Sequence, residues 1–161
     1  PGVVPASELL ATPPSPWLEE WAGFAAKARY ADLPADVAAR TRLALLDCIG
    51  AIAAGAQEAE VGTLATRMIA REGAGDSPVI GLAASARPGT AAFINGTAGT
   101  TLELDEGNQY ARGHPAIHVV PALLAAPRGD GAALLVALAL GYELGSRVGI
   151  ASKLNVATHP H

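Results

Sequence analysis

Four apolar segments of this chain each begin at or just after a proline and continue with apolar residues at helical spacing. The prolines are Pro16, Pro34, Pro88 and Pro115. Proline fits the first turn of an α-helix, where its missing N–H would have no partner, and it disfavours a helical conformation in the residue before it. Each proline therefore marks a helix start, and the chain is predicted to be mostly helical.

The spacing of the apolar residues predicts the extent of these helices. The six expected helices span residues 15–30, 32–55, 59–71, 88–102, 115–126 and 132–150. In the second helix, Val37, Thr41, Leu45 and Ile49 share a stripe that is expected to face the core. Residues 79–82 are β-like, but no second strong strand lies near enough to pair with them.

The predicted class is all-α, with one helical bundle over residues 15–161. Residues 1–14 contain four prolines and are expected to form an irregular lead-in. Pro121 is expected to interrupt or restart the fifth helix. No repeat or linker divides the chain, and 161 residues suffice for one domain with a substantial core.

Small residues are expected to set the distances between the helices. Half of the residues are hydrophobic but only 4% are aromatic, so Ala, Leu, Val and Ile must build the core. A glycine inside a helix costs roughly 1 kcal/mol relative to alanine. The glycines in predicted helices therefore indicate close approach of helix backbones: Gly96, Gly99, Gly141, Gly145 and Gly149.

Charge and hydropathy exclude several classes of partner. The formal net charge is −4 without a basic run, which disfavours nucleic acid. The longest apolar run, residues 131–142, is shorter than the roughly 20 residues of a membrane span, and residues 1–7 do not resemble a signal peptide. Cys48 is the only cysteine and is expected to be a buried structural thiol. These features predict a cytoplasmic protein without nucleic-acid or membrane partners.

The segment from Glu103 to His118 concentrates the groups that can exchange protons. It holds three carboxylates, a phenol, a guanidinium and two imidazoles, although only 16% of all residues are charged. General acid–base catalysis needs such groups. The acidic residues Glu103, Asp105 and Glu106 could instead form a solvated helix end. His114 is the preferred acid or base because it adjoins them, the alternative being a capping or loop histidine.

Two further readings of the histidines concern metal binding and the end of the chain. His114 and His118 have the i, i+4 spacing of a metal-ligand pair, so a zinc-dependent hydrolase is a third, weaker hypothesis. Without an H-E-x-x-H motif, and with Pro115 between them, we predict no metal site. His159 lies in a His-Pro-His segment, and Lys153, close to it in sequence, could meet an anionic substrate.

Six segments in order resemble the MmgE/PrpD family, which includes 2-methylcitrate dehydratase, cis-aconitate decarboxylase and an iminodisuccinate epimerase. They cover residues 33–50, 91–96, 103–106, 114–124, 141–149 and 159–161. Glu103-Leu-Asp-Glu106 resembles the acidic L-D-F-D-D motif of the family. His114-Pro-Ala-Ile-His118 begins a segment that resembles its H-P-S-x-x-V-x-P-A-L-L element.

The resemblance implies a large helical domain, without the α+β lid that the family carries elsewhere, and a homodimer. It implies a cofactor-independent lyase, with dehydration of a small di- or tricarboxylate as the favoured reaction. Proton abstraction α to a carboxylate would begin the reaction. Decarboxylation and epimerisation begin with the same proton chemistry, so the sequence does not name the substrate.

Carried over by position, the resemblance assigns catalytic roles to Glu103, Asp105, His114 and His159. An imidazole of His114 or His159 would be the base or acid, and the carboxylates would orient it and stabilise its protonated form. Substrate contacts are expected from three further residues: Asn108, Arg112 and Lys153. The threonine that follows the acidic motif in the family falls near Gly107 or Asn108, so its hydroxyl is missing here.

A second hypothesis from another class is a truncated, non-catalytic helical module that dimerises through Ala/Gly faces. It is motivated by the missing second half of the family's sequence, including a lysine and a tyrosine that the family contributes later. On its own, this chain is expected to be inactive, because an open cleft leaves the reacting groups in water.

Overall fold

The computed structural model describes residues 15–126 and 129–153, which form six α-helices and a small hairpin. The helices are α1 (Pro16–Lys27), α2 (Ala35–Gly55), α3 (Ala59–Glu72), α4 (Pro88–Thr101), α5 (Pro115–Ala125) and α6 (Gly131–Ala151). A 3-10 turn (Tyr30–Asp32) precedes α2, and the strands are β1 (Ser77–Val79) and β2 (Ala84–Ala86). The predicted mostly helical class is confirmed, while the predicted lead-in over residues 1–14 lies outside the described residues.

The core lies where α2, α4, α5 and α6 meet. Helix α4 packs against α2, α3 and α5, and α6 packs against α5 and α2. The largest buried side chains come from five helices, and they include Ile52, Val61, Ile94, Val120 and Leu138. The predicted aliphatic core is therefore confirmed.

The hairpin corrects the expectation that the β-like segment has no partner strand. β1 and β2 pair in an antiparallel register that places Ser77 opposite Ala86. The segment Ala84–Ala86 was missed because alanine and serine carry little strand signal. The fully buried Asn95 of α4 fixes the hairpin: its Oδ1 accepts from Ile80 N at 2.9 Å and its Nδ2 donates to Pro78 O at 3.0 Å.

The predicted stripe of α2 is confirmed in part: Thr41 is buried and Leu45 packs against the core, but Val37 does not face it. Val37 is exposed, whereas Ala38, Cys48 and Ile52 are buried together with Thr41. Small inward-facing residues such as Gly55 allow close contact with α4, Ile52 fills the core beside them, and Leu46 faces outward. The expected burial of Cys48 is confirmed.

Two other helices also differ from expectation. α1 forms at the predicted place, but it has no buried residue, and Trp17 and Phe24 are more than half exposed. α5 continues through Pro121 without an interruption. Pro121 removes one intrahelical hydrogen bond, but its ring is buried, and this packing against the core offsets the loss.

Within the described residues, α6 is the one helix long and apolar enough to cross a membrane by length and composition. A core helix of a soluble protein passes the same test. Leu138 of α6 is fully buried, and the helix packs against α5 and α2. The absence of a membrane partner stays a prediction.

Close approach of helix backbones is most pronounced where α2 ends. A Cβ built on Gly55 would lie 1.9 Å from the backbone oxygen of Ala98 in α4. At Gly149 of α6, a Cβ would lie 2.6 Å from the backbone oxygen of Ala111. Only glycine allows these two contacts without displacement of the main chain.

We expect Gly55→Ala to lower the free energy of unfolding by about 2 kcal/mol or more, because α2 and α4 would have to move apart. Gly50→Ala is the matched control, since Gly50 lies in the same helix with no atom within 4 Å of its added Cβ. That control should be neutral or stabilising by up to about 1 kcal/mol. Urea denaturation measures both, and equal effects of the two substitutions would contradict the close packing.

Candidate active site

The cluster of proton-exchanging groups lies in the loop between α4 and α5. Residue 108 pairs with residue 113: Asn108 N donates to Gly113 O at 2.8 Å, which closes the loop on itself. Glu103 and Arg112 adopt positive φ angles of 53° and 51°, a conformation that costs non-glycine residues about 1 kcal/mol or more. Such conformations persist only where the surrounding structure holds them, so this loop has a defined shape.

Asn108 connects this loop to α6. Its Oδ1 accepts from Tyr110 N and Ala111 N, both at 3.0 Å. Its Nδ2 donates to Tyr142 Oη at 3.3 Å and to Ser146 Oγ at 3.2 Å. These contacts use the donors and the acceptor of the amide, so Asn108 has a structural role, and its substrate contact stays a prediction.

Asp105 and His114 form the pair at the centre of the site. His114 Nδ1 lies 3.1 Å from Asp105 Oδ2, and the Asp105 side chain is only 5% exposed, against 41% for His114. Nδ1 is shielded from solvent, and within the described part of the chain it has no hydrogen bond of regular geometry. Apo active sites often hold such pairs slightly misaligned until the substrate is bound.

Glu106 occupies the amino terminus of α5. One of its oxygens, Oε1, accepts a short hydrogen bond from Ala116 N in the first turn, and Oε2 accepts from Tyr142 Oη at 3.5 Å. First-turn N–H groups have no partner inside the helix, and the helix dipole favours a negative charge there. His114 is the N-cap residue, but its side chain makes no capping hydrogen bond. Glu106 performs the capping instead.

Burial perturbs the titration of the groups around Glu106. Desolvation raises the pKa of Glu106, opposed by the hydrogen bond from Ala116 and the charge of His114. Burial also raises the pKa of Tyr142, and the charge of Glu106 adds to that shift. The pKa of Cys48 is raised to about 12, mainly by burial, so the thiol stays protonated and unreactive at neutral pH.

A cavity of about 620 Å³ lies between α2 and α6, next to this cluster. Glu106 and Tyr142 line one side of it, and Val37, Leu43 and Leu46 contribute apolar surface. A cavity of this size could hold a small molecule. Neither Asp105 nor His114 lines it, so Glu106 is the link between the cavity and the pair.

The other predicted site residues lie outside the pair. Glu103 is exposed just beyond the end of α4, and no described ion pair joins it to an imidazole. Arg112 and Lys153 are exposed, with Lys153 in a left-handed conformation after α6. His159 lies outside the described residues. The roles of these four residues stay predictions.

No group of three potential metal ligands occurs among the described His, Cys, Asp and Glu residues. His118 is exposed on α5, and the partner found for His114 is Asp105. The described geometry therefore offers no support for the hypothesis of a zinc-dependent hydrolase.

Sequence patterns alone do not show that Glu106 caps α5, and they do not connect Tyr142 with the site. The sequence places Glu106 in an acidic trio, and Tyr142 lies 36 residues further along the chain. A usable signal was present: Pro115 starts a helix whose preceding residue, His114, is a poor N-cap. Such a helix needs an acceptor from elsewhere, and the nearest acidic residues are those of the loop.

Residues 19–161 match the family model of the MmgE/PrpD N-terminal domain. Over 150 residues the chain is 32% identical to a protein named cis-aconitate decarboxylase-like protein from Aspergillus oryzae. This match covers 87% of the chain and 31% of the relative, so the chain spans less than a third of the curated relative's length. No solved structure matches the chain.

The raised pKa of Glu106 predicts how stability depends on pH. Its contribution is fully present below the unfolded-state value of about 4.3 and is lost as pH rises through the raised folded-state pKa. We expect the free energy of unfolding of the wild type, relative to Glu106→Gln, to fall as the pH rises from about 4 toward neutrality. Denaturant titrations of both proteins measure this difference, and a rise over the same range would contradict the assignment.

Proposed function

Because this chain belongs to the MmgE/PrpD family, we propose that it carries the acid–base pair of a cofactor-independent lyase. The substrate is a small di- or tricarboxylate, and dehydration is the favoured reaction. The observation that carries the proposal is the 3.1 Å approach of Asp105 Oδ2 to His114 Nδ1. It supports a base whose ring is oriented by a carboxylate.

The pair gives the two nitrogens of His114 different roles. Nδ1 is shielded and faces Asp105, while 41% of the side chain is exposed, so Nε2 is the atom a substrate reaches. With its proton on Nδ1, the neutral ring can accept the α-proton of the substrate at Nε2. The nearby carboxylate then stabilises the imidazolium that forms.

In a dehydration, the C–H electrons form the new double bond as the hydroxyl leaves from the neighbouring carbon. The proton held on Nε2 can return to that hydroxyl, so that water leaves and the ring is neutral again. Decarboxylation is a second candidate, favoured by the name of the Aspergillus oryzae relative. In a decarboxylation, the C–C bond to the departing CO₂ breaks and its electrons take up a proton from an acid. This step needs no abstraction of an α-proton, which corrects the expectation that both reactions begin in the same way.

Arg112 and Lys153 are the proposed contacts for substrate carboxylates. Arg112 lies two residues before His114 in the same loop and is exposed, so a guanidinium is available near the pair. Arginine binds carboxylates through two parallel hydrogen bonds. Glu103 and His159 complete the proposed catalytic set on the strength of the resemblance alone.

We also propose the homodimer and the cytoplasmic location expected from the sequence. Exposed apolar side chains on α1 and α6, among them Trp17, Phe24, Val148 and Ile150, support association with further protein surface. Light scattering of the full-length protein tests this, with a mass of twice the chain mass as the expected result.

We expect His114→Ala in the full-length protein to lower kcat/KM by about 10²–10⁴-fold, as loss of a general base does. His118→Ala is the matched control, since His118 lies four residues further along and is exposed. Turnover is followed with cis-aconitate and 2-methylcitrate as probes, by product formation and by exchange of the α-proton with deuterated water.

Normal turnover of the His114→Ala protein would refute the proposed role of the pair. Absence of turnover and exchange in the wild-type protein with either probe would favour the alternative of a non-catalytic dimerisation module. An equal loss in the His118→Ala control would show that general disturbance of α5, and not loss of the base, explains the result.

A further inference from the structure

We infer that Glu106 is a positioning residue for the Asp105–His114 pair, holding Asp105 against Nδ1 by capping α5 in place of His114. The inference rests on the proposed function in one respect, namely that this pair is the acid–base pair. Neither the family match nor the relative's name assigns a role to Glu106.

The amino terminus of α5 needs a hydrogen-bond acceptor from another part of the chain. Ala116 is fully buried, so its N–H cannot be satisfied by solvent and needs an acceptor from the protein. Glu106 Oε1 supplies that acceptor. If the side chain of His114 were the cap, its ring would turn toward the helix and away from Asp105. Capping by Glu106 therefore leaves the imidazole free to face the carboxylate.

The chain itself connects Glu106 with Asp105. Asp105 directly precedes Glu106, so fixing the Glu106 side chain against α5 also fixes the backbone that carries Asp105. The second oxygen of Glu106 accepts from Tyr142 Oη, and Tyr142 Oη in turn accepts from Asn108 Nδ2. This circuit joins the loop, α5 and α6, and it restrains the backbone of the residue that follows Asp105.

The position of Asp105 influences which tautomer His114 adopts. An acceptor at Nδ1 favours the ring with its proton on Nδ1 and leaves Nε2 free to act as a base. In water, imidazole side chains prefer the opposite tautomer, with the proton on Nε2. The position of Asp105, and hence Glu106, thus determines which nitrogen can accept the substrate's proton.

The test measures this tautomer by the ¹⁵N chemical shifts of the imidazole rings at about pH 8.5, where ordinary histidines are neutral. In the wild-type chain, we expect His114 to hold its proton mainly on Nδ1 and the exposed His118 mainly on Nε2. Glu106→Ala should move the tautomer ratio of His114 toward Nε2–H by about fivefold or more, because the Asp105 carboxylate would no longer be held beside Nδ1. The ratio at His118 should not change.

Glu106→Gln separates positioning from charge, because its amide oxygen can still accept from Ala116 N. We expect it to restore most of the wild-type ratio. Glu143→Ala is the control on α6, since Glu143 is exposed and pairs with Arg147 instead. If Glu106→Ala fails to fold, Glu106→Asp replaces it, as the shorter side chain cannot reach Ala116.

An unchanged His114 tautomer in Glu106→Ala, or in the Asp replacement, would overturn the inference. An equal loss in the Gln variant would also overturn it, because Glu106 would then act through its charge and not through the cap. The measurement needs no substrate. The positioning role can therefore fail while His114 remains essential, or hold while the proposed lyase activity fails.

Discussion

The unsatisfied N–H groups at the start of α5 are the constraint on which the site depends. Pro115 begins this helix inside the core, where water cannot form a hydrogen bond with the buried N–H of Ala116. Glu106 meets that requirement, and the loop that carries it is drawn against α5. The same contact brings the preceding residue, Asp105, beside His114. One short segment thus satisfies the start of the helix and places Asp105 beside His114, the proposed acid–base pair.

The small residues of the core make this arrangement compact. Glycines such as Gly55 and Gly149 allow backbone contacts that a Cβ would prevent. Helix α6 can therefore lie near enough for Tyr142 to reach both Glu106 and Asn108 of the loop. Burial at this junction raises the pKa of Glu106, which is the cost of placing a carboxyl between helices. The helix terminus and the phenol offset part of that cost.

The sequence was sufficient to predict the helices and part of the site, for physical reasons that particular residues illustrate. Prolines fix helix starts locally, so the start of α5 at Pro115 was predictable. The buried face of α2 was predictable only in part: Thr41 is buried as expected, but Ala38 is buried in place of the larger Val37. A carboxylate near His114 was expected from proximity in the chain. The capping by Glu106 was not, since it depends on a contact ten residues away in sequence and on burial.

The most direct test of this account is hydrogen–deuterium exchange of the Ala116 amide in the wild-type chain. A first-turn amide without an acceptor exchanges readily, as we expect for the exposed Glu60, which occupies the equivalent position in α3. If Glu106 caps α5, the Ala116 amide should be strongly protected, by about 10²-fold or more relative to that of Glu60. Exchange at a similar rate for both amides would contradict the account, because the contact that holds Asp105 beside His114 would then be absent in solution.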